Sequence, residues 1–130
     1  MHTLKFRHYI DSAHQLTDSP ALATKKCANL HGHTYAIDVE IGASKLDGAG
    51  MVIDFTTIKE RLDVLDHKYI NDVFEQLGFD EESTAENIAT FYLEMLSTEF
   101  PKLHIASVAV KEGYKGEDKG GWVIATHNND

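Results

Sequence analysis

Between residues 33 and 41 the side chains fall into two alternating sets, His33, Tyr35, Ile37, Val39 and Ile41 on one side and Thr34, Ala36, Asp38 and Glu40 on the other. That period of two marks a half-buried strand, and it commits the chain to a sheet with an apolar face in need of cover. Three further segments can supply its neighbours. Residues 4 to 10 set Leu4, Phe6, His8 and Ile10 against Lys5, Arg7 and Tyr9. Residues 104 to 112 put Ala106, Val108, Val110 and Glu112 on one face, and GWVIAT from residue 121 makes a last short strand.

The middle of the chain supplies the cover. After the turn signal DGAG at 47 to 50, a helix is expected to start at Thr57 with Glu60 as its capping-box partner, and Ile58, Leu62 and Leu65 share its face. A second box, Ser83 with Glu86, opens a helix striped by Ile88, Ala89, Tyr92, Met95 and Leu96, with Pro101 just beyond its end. NDVFEQLGFDEE between them reads as a connector with one short turn. The order ββααββ predicts an α+β fold, a four-stranded antiparallel sheet with two helices on one face. At 130 residues, with no repeat, linker or low-complexity tract, residues 1–130 read as a single domain. Only HNND at the C-terminus reads as a loose tail.

Composition narrows the function. Asp and Glu number 21 against 12 Lys and Arg, a formal charge of −9, which argues against a nucleic-acid partner. No apolar run approaches the roughly 20 residues of a membrane helix. A lone cysteine closes no intrachain disulfide, and MHTLKFRHYI carries no apolar signal core, so the expected location is the cytoplasm.

The chemistry-bearing residues gather in CANLHGHTY, residues 27 to 35. His31 and His33, two apart at the entry to a strand, project from the same face, and His14 in DSAHQL can add a third imidazole. Three neutral imidazoles without a carboxylate suit zinc, and three ligands leave the fourth position open for water or substrate. Chance proximity is the competing reading, since the chain holds 8 histidines. Cys27 has three possible roles: fourth zinc ligand, reactive thiol or buried apolar residue. Lys25 and Lys26 beside it favour the thiolate. A fourth-ligand role would close the site and make the zinc structural. Asp66 and His67 at the end of the first helix form either an oriented proton carrier or a helix end suited to its dipole. Glu112, turned to the side of Val108 and Val110, needs a partner: a basic side chain, or a ligand edge with two N–H donors such as an aminopyrimidinone.

Taken in order, SAH, CANLHGHTY, GMVIDFTTIK, LDHKYIND, STAEN and VAVKE resemble the family of 6-pyruvoyltetrahydropterin and 6-carboxytetrahydropterin synthases, over about residues 4 to 125. The resemblance implies the tunnelling fold, with ββααββ subunits joined into a trimeric β-barrel and two barrels stacked as a homohexamer. It implies zinc on His14, His31 and His33, Cys27 as base with Asp66 and His67 assisting, and a pterin ring held by Glu112 with help from Ser83, Thr84 and Glu86. The implied substrate is 7,8-dihydroneopterin triphosphate. In the bacterial branch it yields 6-carboxytetrahydropterin, acetaldehyde and triphosphate, on the way to queuosine and other deazapurines; in the animal branch only triphosphate leaves. The short chain and its CANLHGHTY favour the carboxy branch. Lys25, Lys26, Arg7 and Lys68 are candidates to hold the phosphates. One departure is that Gly113 follows Glu112 where the family commonly has threonine. Two other readings compete. A small β-barrel oxygenase would lack the two helices, and a zinc-stabilised binding module would leave Asp66, His67 and Glu112 without a role.

Overall fold

A computed structural model describes residues 1–17, 29–113 and 120–128. Two long strands, β1 (His2–His14) and β2 (His31–Ala43), pair antiparallel along their whole length, from His2 opposite Ala43 to His14 opposite His31. β3 (His104–Glu112) and β4 (Val123–Ala125) continue the sheet in the order β1-β2-β3-β4. Three helices lie between β2 and β3: α1 (Phe55–Leu62), continued by a 3-10 turn over Asp63–Leu65, then α2 (Ile70–Gln76) and α3 (Ala85–Glu99). The architecture is the expected α+β one, four antiparallel strands with helices on one face, plus a two-turn helix where the sequence pattern predicts a connector.

The helix starts differ from expectation for a local reason. α1 is capped by Asp54, whose carboxylate accepts from the Thr56 N–H at 2.8 Å, so Thr57 lies inside the first turn. α3 is capped by Thr84, whose hydroxyl accepts from the Asn87 N–H at 3.2 Å; the Ser83 hydroxyl is used elsewhere. In α2, Ile70 and Phe74 are four apart on one buried face. Gly78 ends that helix at φ 73°, a left-handed conformation that glycine adopts without a Cβ clash.

Burial follows strand parity. Ile10, Tyr35, Ile37, Val39, Ile41, Val108 and Val110 face Ile58, Leu62, Leu65, Ile70, Phe74, Ile88, Tyr92 and Leu96 in one core. Each such aliphatic or aromatic side chain gains about 1.5–3 kcal/mol on leaving water. The Tyr92 hydroxyl, buried with them, donates to the Leu62 carbonyl at 2.6 Å. A bulge corrects one expectation in β3: Glu40 pairs with Ser107 and Ile41 with Ile105, so Ile105 takes the inward place that strict alternation gives to Ala106. Beyond the bulge the parity returns, and Glu112 shares the face of Val108 and Val110. The opposite face of the sheet carries charge, with Arg7 gripping Asp38 through two bonds of 2.7 and 2.8 Å. Among the described residues no helix is long and apolar enough to cross a membrane.

Candidate metal centre

Register alone brings the three histidines together. His14 is the last residue of β1 and lies opposite His31, the first of β2, while His33 follows two residues later on the same face. Their ring centroids are 4.5 to 5.1 Å apart, and one nitrogen from each lies within 4.8 Å of the others.

The outer hydrogen bonds decide which nitrogen faces inward. His14 Nδ1 is 2.6 Å from the Ser83 carbonyl and His31 Nδ1 is 2.6 Å from the Asn29 carbonyl. A carbonyl only accepts, so both Nδ1 atoms carry the proton and both Nε2 atoms present a lone pair to the cluster. Burial, the largest influence, lowers the pKa of His14 and of His33; the Ser83 carbonyl and Glu112 oppose it at His14, and Glu112 opposes it at His33. Neutral imidazoles are the form that binds a cation. His14 Nε2 and His33 Nε2 are buried without a hydrogen-bond partner, an expensive arrangement that a metal ion would relieve. His33 Nε2 does lie 3.0 Å from Glu112 Oε1, but not in hydrogen-bond alignment. The residues present therefore fit a metal ion.

A clamp stands behind His14 that sequence reasoning did not find. Asn71 Nδ2 donates to the Gln15 carbonyl at 2.7 Å, and Asn71 Oδ1 accepts from the Gln15 N–H at 3.1 Å and the Ser83 hydroxyl at 2.9 Å. It ties the end of β1 to Ser83, whose carbonyl sets the His14 tautomer. The only sequence signal was an asparagine four residues past His67, and nothing in spacing points it at residue 15. Ser83 and Thr84 use their hydroxyls for this clamp and for the helix cap, and Glu86 is exposed in the first turn of α3.

Asp66 and His67 follow the 3-10 turn and are tied to the outer edge of β1 by main-chain bonds. The His67 N–H donates to the Asp11 carbonyl at 2.7 Å and the Ala13 N–H to the Lys68 carbonyl at 3.0 Å. His67 sits at φ 55°, unusual for a residue with a Cβ, and its Nδ1 is 3.0 Å from Asp66 Oδ2. Burial works against the Asp66 carboxylate, but the Asp11 N–H at 2.9 Å and the His67 ring outweigh it and leave its pKa below the usual range. An open groove of about 540 Å³ is lined by His33 and His67 together with Asp11, Gly32, Thr34 and Lys68. Of the phosphate candidates, Lys68 borders this groove, whereas Arg7 is engaged by Asp38 and stacks over Trp122 at 5.0 Å. Cys27, Lys25 and Lys26 lie outside the described residues. Gly113 adopts φ 87° while its N–H donates to the Thr34 carbonyl at 3.0 Å, a backbone that a threonine would strain.

Sheet, helices and three histidines that could hold a metal ion define an α+β protein with a candidate metal centre. The model of the family described as 6-pyruvoyl tetrahydropterin synthase matches residues 3–119, and the chain belongs to that family. A Dictyostelium discoideum protein named 6-pyruvoyl tetrahydrobiopterin synthase is 36% identical over 109 residues, covering 75% of this chain and 77% of that one. The 6-carboxy-5,6,7,8-tetrahydropterin synthase of Haemophilus influenzae is 35% identical over 111 residues, covering 67% of this chain and 78% of its own. The solved Caenorhabditis elegans 6-pyruvoyl tetrahydropterin synthase shares the fold, with a TM-score of 0.67 at 24% identity over 97% of this chain and 95% of that one.

Proposed function

We propose that the chain is a zinc-dependent lyase that converts 7,8-dihydroneopterin triphosphate and water to 6-carboxy-5,6,7,8-tetrahydropterin, acetaldehyde and triphosphate, in the cytoplasm and toward queuosine and related deazapurines. The observation that carries the reading is the cluster of His14, His31 and His33, with two Nδ1 protons held by carbonyls and lone pairs turned inward. Zinc there would supply a Lewis acid that acidifies hydroxyls and polarises a carbonyl of the substrate side chain. The protein's own groups do the rest. Glu112, beside His33, accepts two hydrogen bonds from the aminopyrimidinone edge and so sets the ring next to the imidazoles. Cys27, in the segment that leads into His31, removes a proton from the side-chain carbon. His67 carries protons, its ring oriented by Asp66.

The outer strands β1 and β4 leave sheet edges that another copy can pair with, which favours a homo-oligomer of trimers. The 36% identical Dictyostelium relative supports a second reading, elimination of triphosphate alone to give 6-pyruvoyltetrahydropterin. Incubating the zinc-loaded protein with dihydroneopterin triphosphate and weighing the products by mass spectrometry separates the two. Acetaldehyde with a 6-carboxypterin supports the first, a pyruvoyl product the second, and unchanged substrate refutes both.

A further inference from the structure

Among the described residues three buried side-chain polar atoms lack a hydrogen-bond partner: His14 Nε2, His33 Nε2 and the hydroxyl of Tyr35. They belong to one cluster. The Tyr35 ring lies 5.6 Å from that of His33 and 6.0 Å from that of His14, centroid to centroid, and edge-on to both. Tyr35 follows His33 by two residues on β2, so both point to the same face, and it stands directly opposite Glu112 on β3. The residue is fully buried.

The three orphans differ in kind. Two are imidazole lone pairs, and one cation satisfies both. The third is a phenol, protonated at neutral pH, and it presents a hydrogen. A metal ion on the imidazoles gives that hydrogen nothing to bond. Packing does not account for it either, since phenylalanine would fill the same space without stranding a hydroxyl. What completes the site is an acceptor atom on a molecule bound beside the imidazoles and Glu112. The ring edge offered to Glu112 is made of N–H donors, which a phenol hydrogen cannot use.

We propose that Tyr35 is a substrate-contacting residue whose hydroxyl donates a hydrogen bond to an oxygen of the hydroxylated side chain that a pterin carries next to its ring. This rests on the pterin-binding reading above and adds to it a residue that tells a hydroxylated side chain from a bare one. Glu112 would hold the ring, and Tyr35 the first part of the chain attached to it.

The test uses Tyr35→Phe in the full-length protein, with two probes that lack phosphate: neopterin, with its trihydroxypropyl side chain, and 6-methylpterin, with the same ring and no hydroxyl. Binding to the zinc-loaded protein is followed by fluorescence titration, and melting of the zinc-free protein checks the fold. The variant should melt at or above the wild-type temperature, retain one zinc per chain, bind neopterin about tenfold more weakly and bind 6-methylpterin unchanged, the loss being that of one buried neutral donor. Equal binding of neopterin by variant and wild type would overturn the proposal. So would an equal loss for both probes, which would place the hydroxyl on the ring, or a marked fall in the zinc-free melting temperature, which would mean that the hydroxyl has a partner inside the fold. Wild-type protein that binds neither probe would refute the pterin reading itself, a result distinct from all of these.

Discussion

Replacing Asn71 with alanine tests whether the imidazole cluster is organised from outside. The side chain makes three hydrogen bonds, to the Gln15 carbonyl at 2.7 Å, from the Gln15 N–H at 3.1 Å and from the Ser83 hydroxyl at 2.9 Å, all partly buried. Neutral bonds of this kind contribute about 0.5–1.5 kcal/mol each. The Ser83 hydroxyl keeps the Gln15 carbonyl as a second acceptor at 3.3 Å, so two bonds are lost outright and a third in part. The expected loss in urea unfolding of the zinc-free protein is about 2–3 kcal/mol. A second effect is specific to the site. With Ser83 released, its carbonyl no longer fixes the Nδ1 proton of His14, and zinc affinity in a competition titration should fall about 10- to 100-fold, as for other outer-shell partners of metal-binding histidines. Asn71→Asp, which keeps both acceptor roles and loses the donor, should fall between. A variant with the expected stability loss and wild-type zinc affinity would refute the link from Asn71 through Ser83 to His14.

Three further outcomes follow from the same geometry. His14 and His33 are held neutral by burial, so below about pH 6.5 the unfolded chain binds more protons than the folded one, and stability must fall with pH until the buried rings themselves titrate; zinc-free protein in enough salt to screen its general charge should melt lower at about pH 5.5 than at about pH 7.5, and a flat profile would show the rings are not desolvated. Asp66→Asn should keep its zinc and lose on the order of a hundredfold in kcat, and an unchanged kcat would remove the pair from proton transfer. Glu112→Gln should weaken pterin binding by about 2–4 kcal/mol with zinc content unchanged; if zinc fell as well, the carboxylate 3.0 Å from His33 would be a metal ligand.

Most of the frame is legible in the sequence because its signals are local. Alternation at 104 to 112 coincides with β3, and Ile58, Leu62 and Leu65, spaced to share a helical face, are all fully buried. The H-x-H pair and His14 meet because antiparallel pairing of two alternating strands leaves them nowhere else to go. What escaped depends on contacts distant in sequence. The bulge that seats Ile105 is a property of the pair β2 and β3, and neither strand announces it. Asp54 displaces Thr57 as a cap because the chain turns into α1 three residues earlier than its apolar stripe suggests. Ser83 surrenders its capping role to Thr84 because Asn71, twelve residues earlier, takes its hydroxyl. The place of Asp66 and His67 along the edge of β1 is set by main-chain bonds to Asp11 and Ala13, which side-chain patterns do not encode.

Whether three imidazoles hold zinc without the thiol is read from zinc per chain by elemental analysis after exhaustive dialysis, for wild type, His31→Ala and Cys27→Ala side by side. About one zinc is expected in the wild type and in Cys27→Ala, and most of it gone from His31→Ala, with two ligands too few for a stable site. If Cys27→Ala lost zinc as readily as His31→Ala, the site would be a closed four-ligand centre and the catalytic reading would be contradicted.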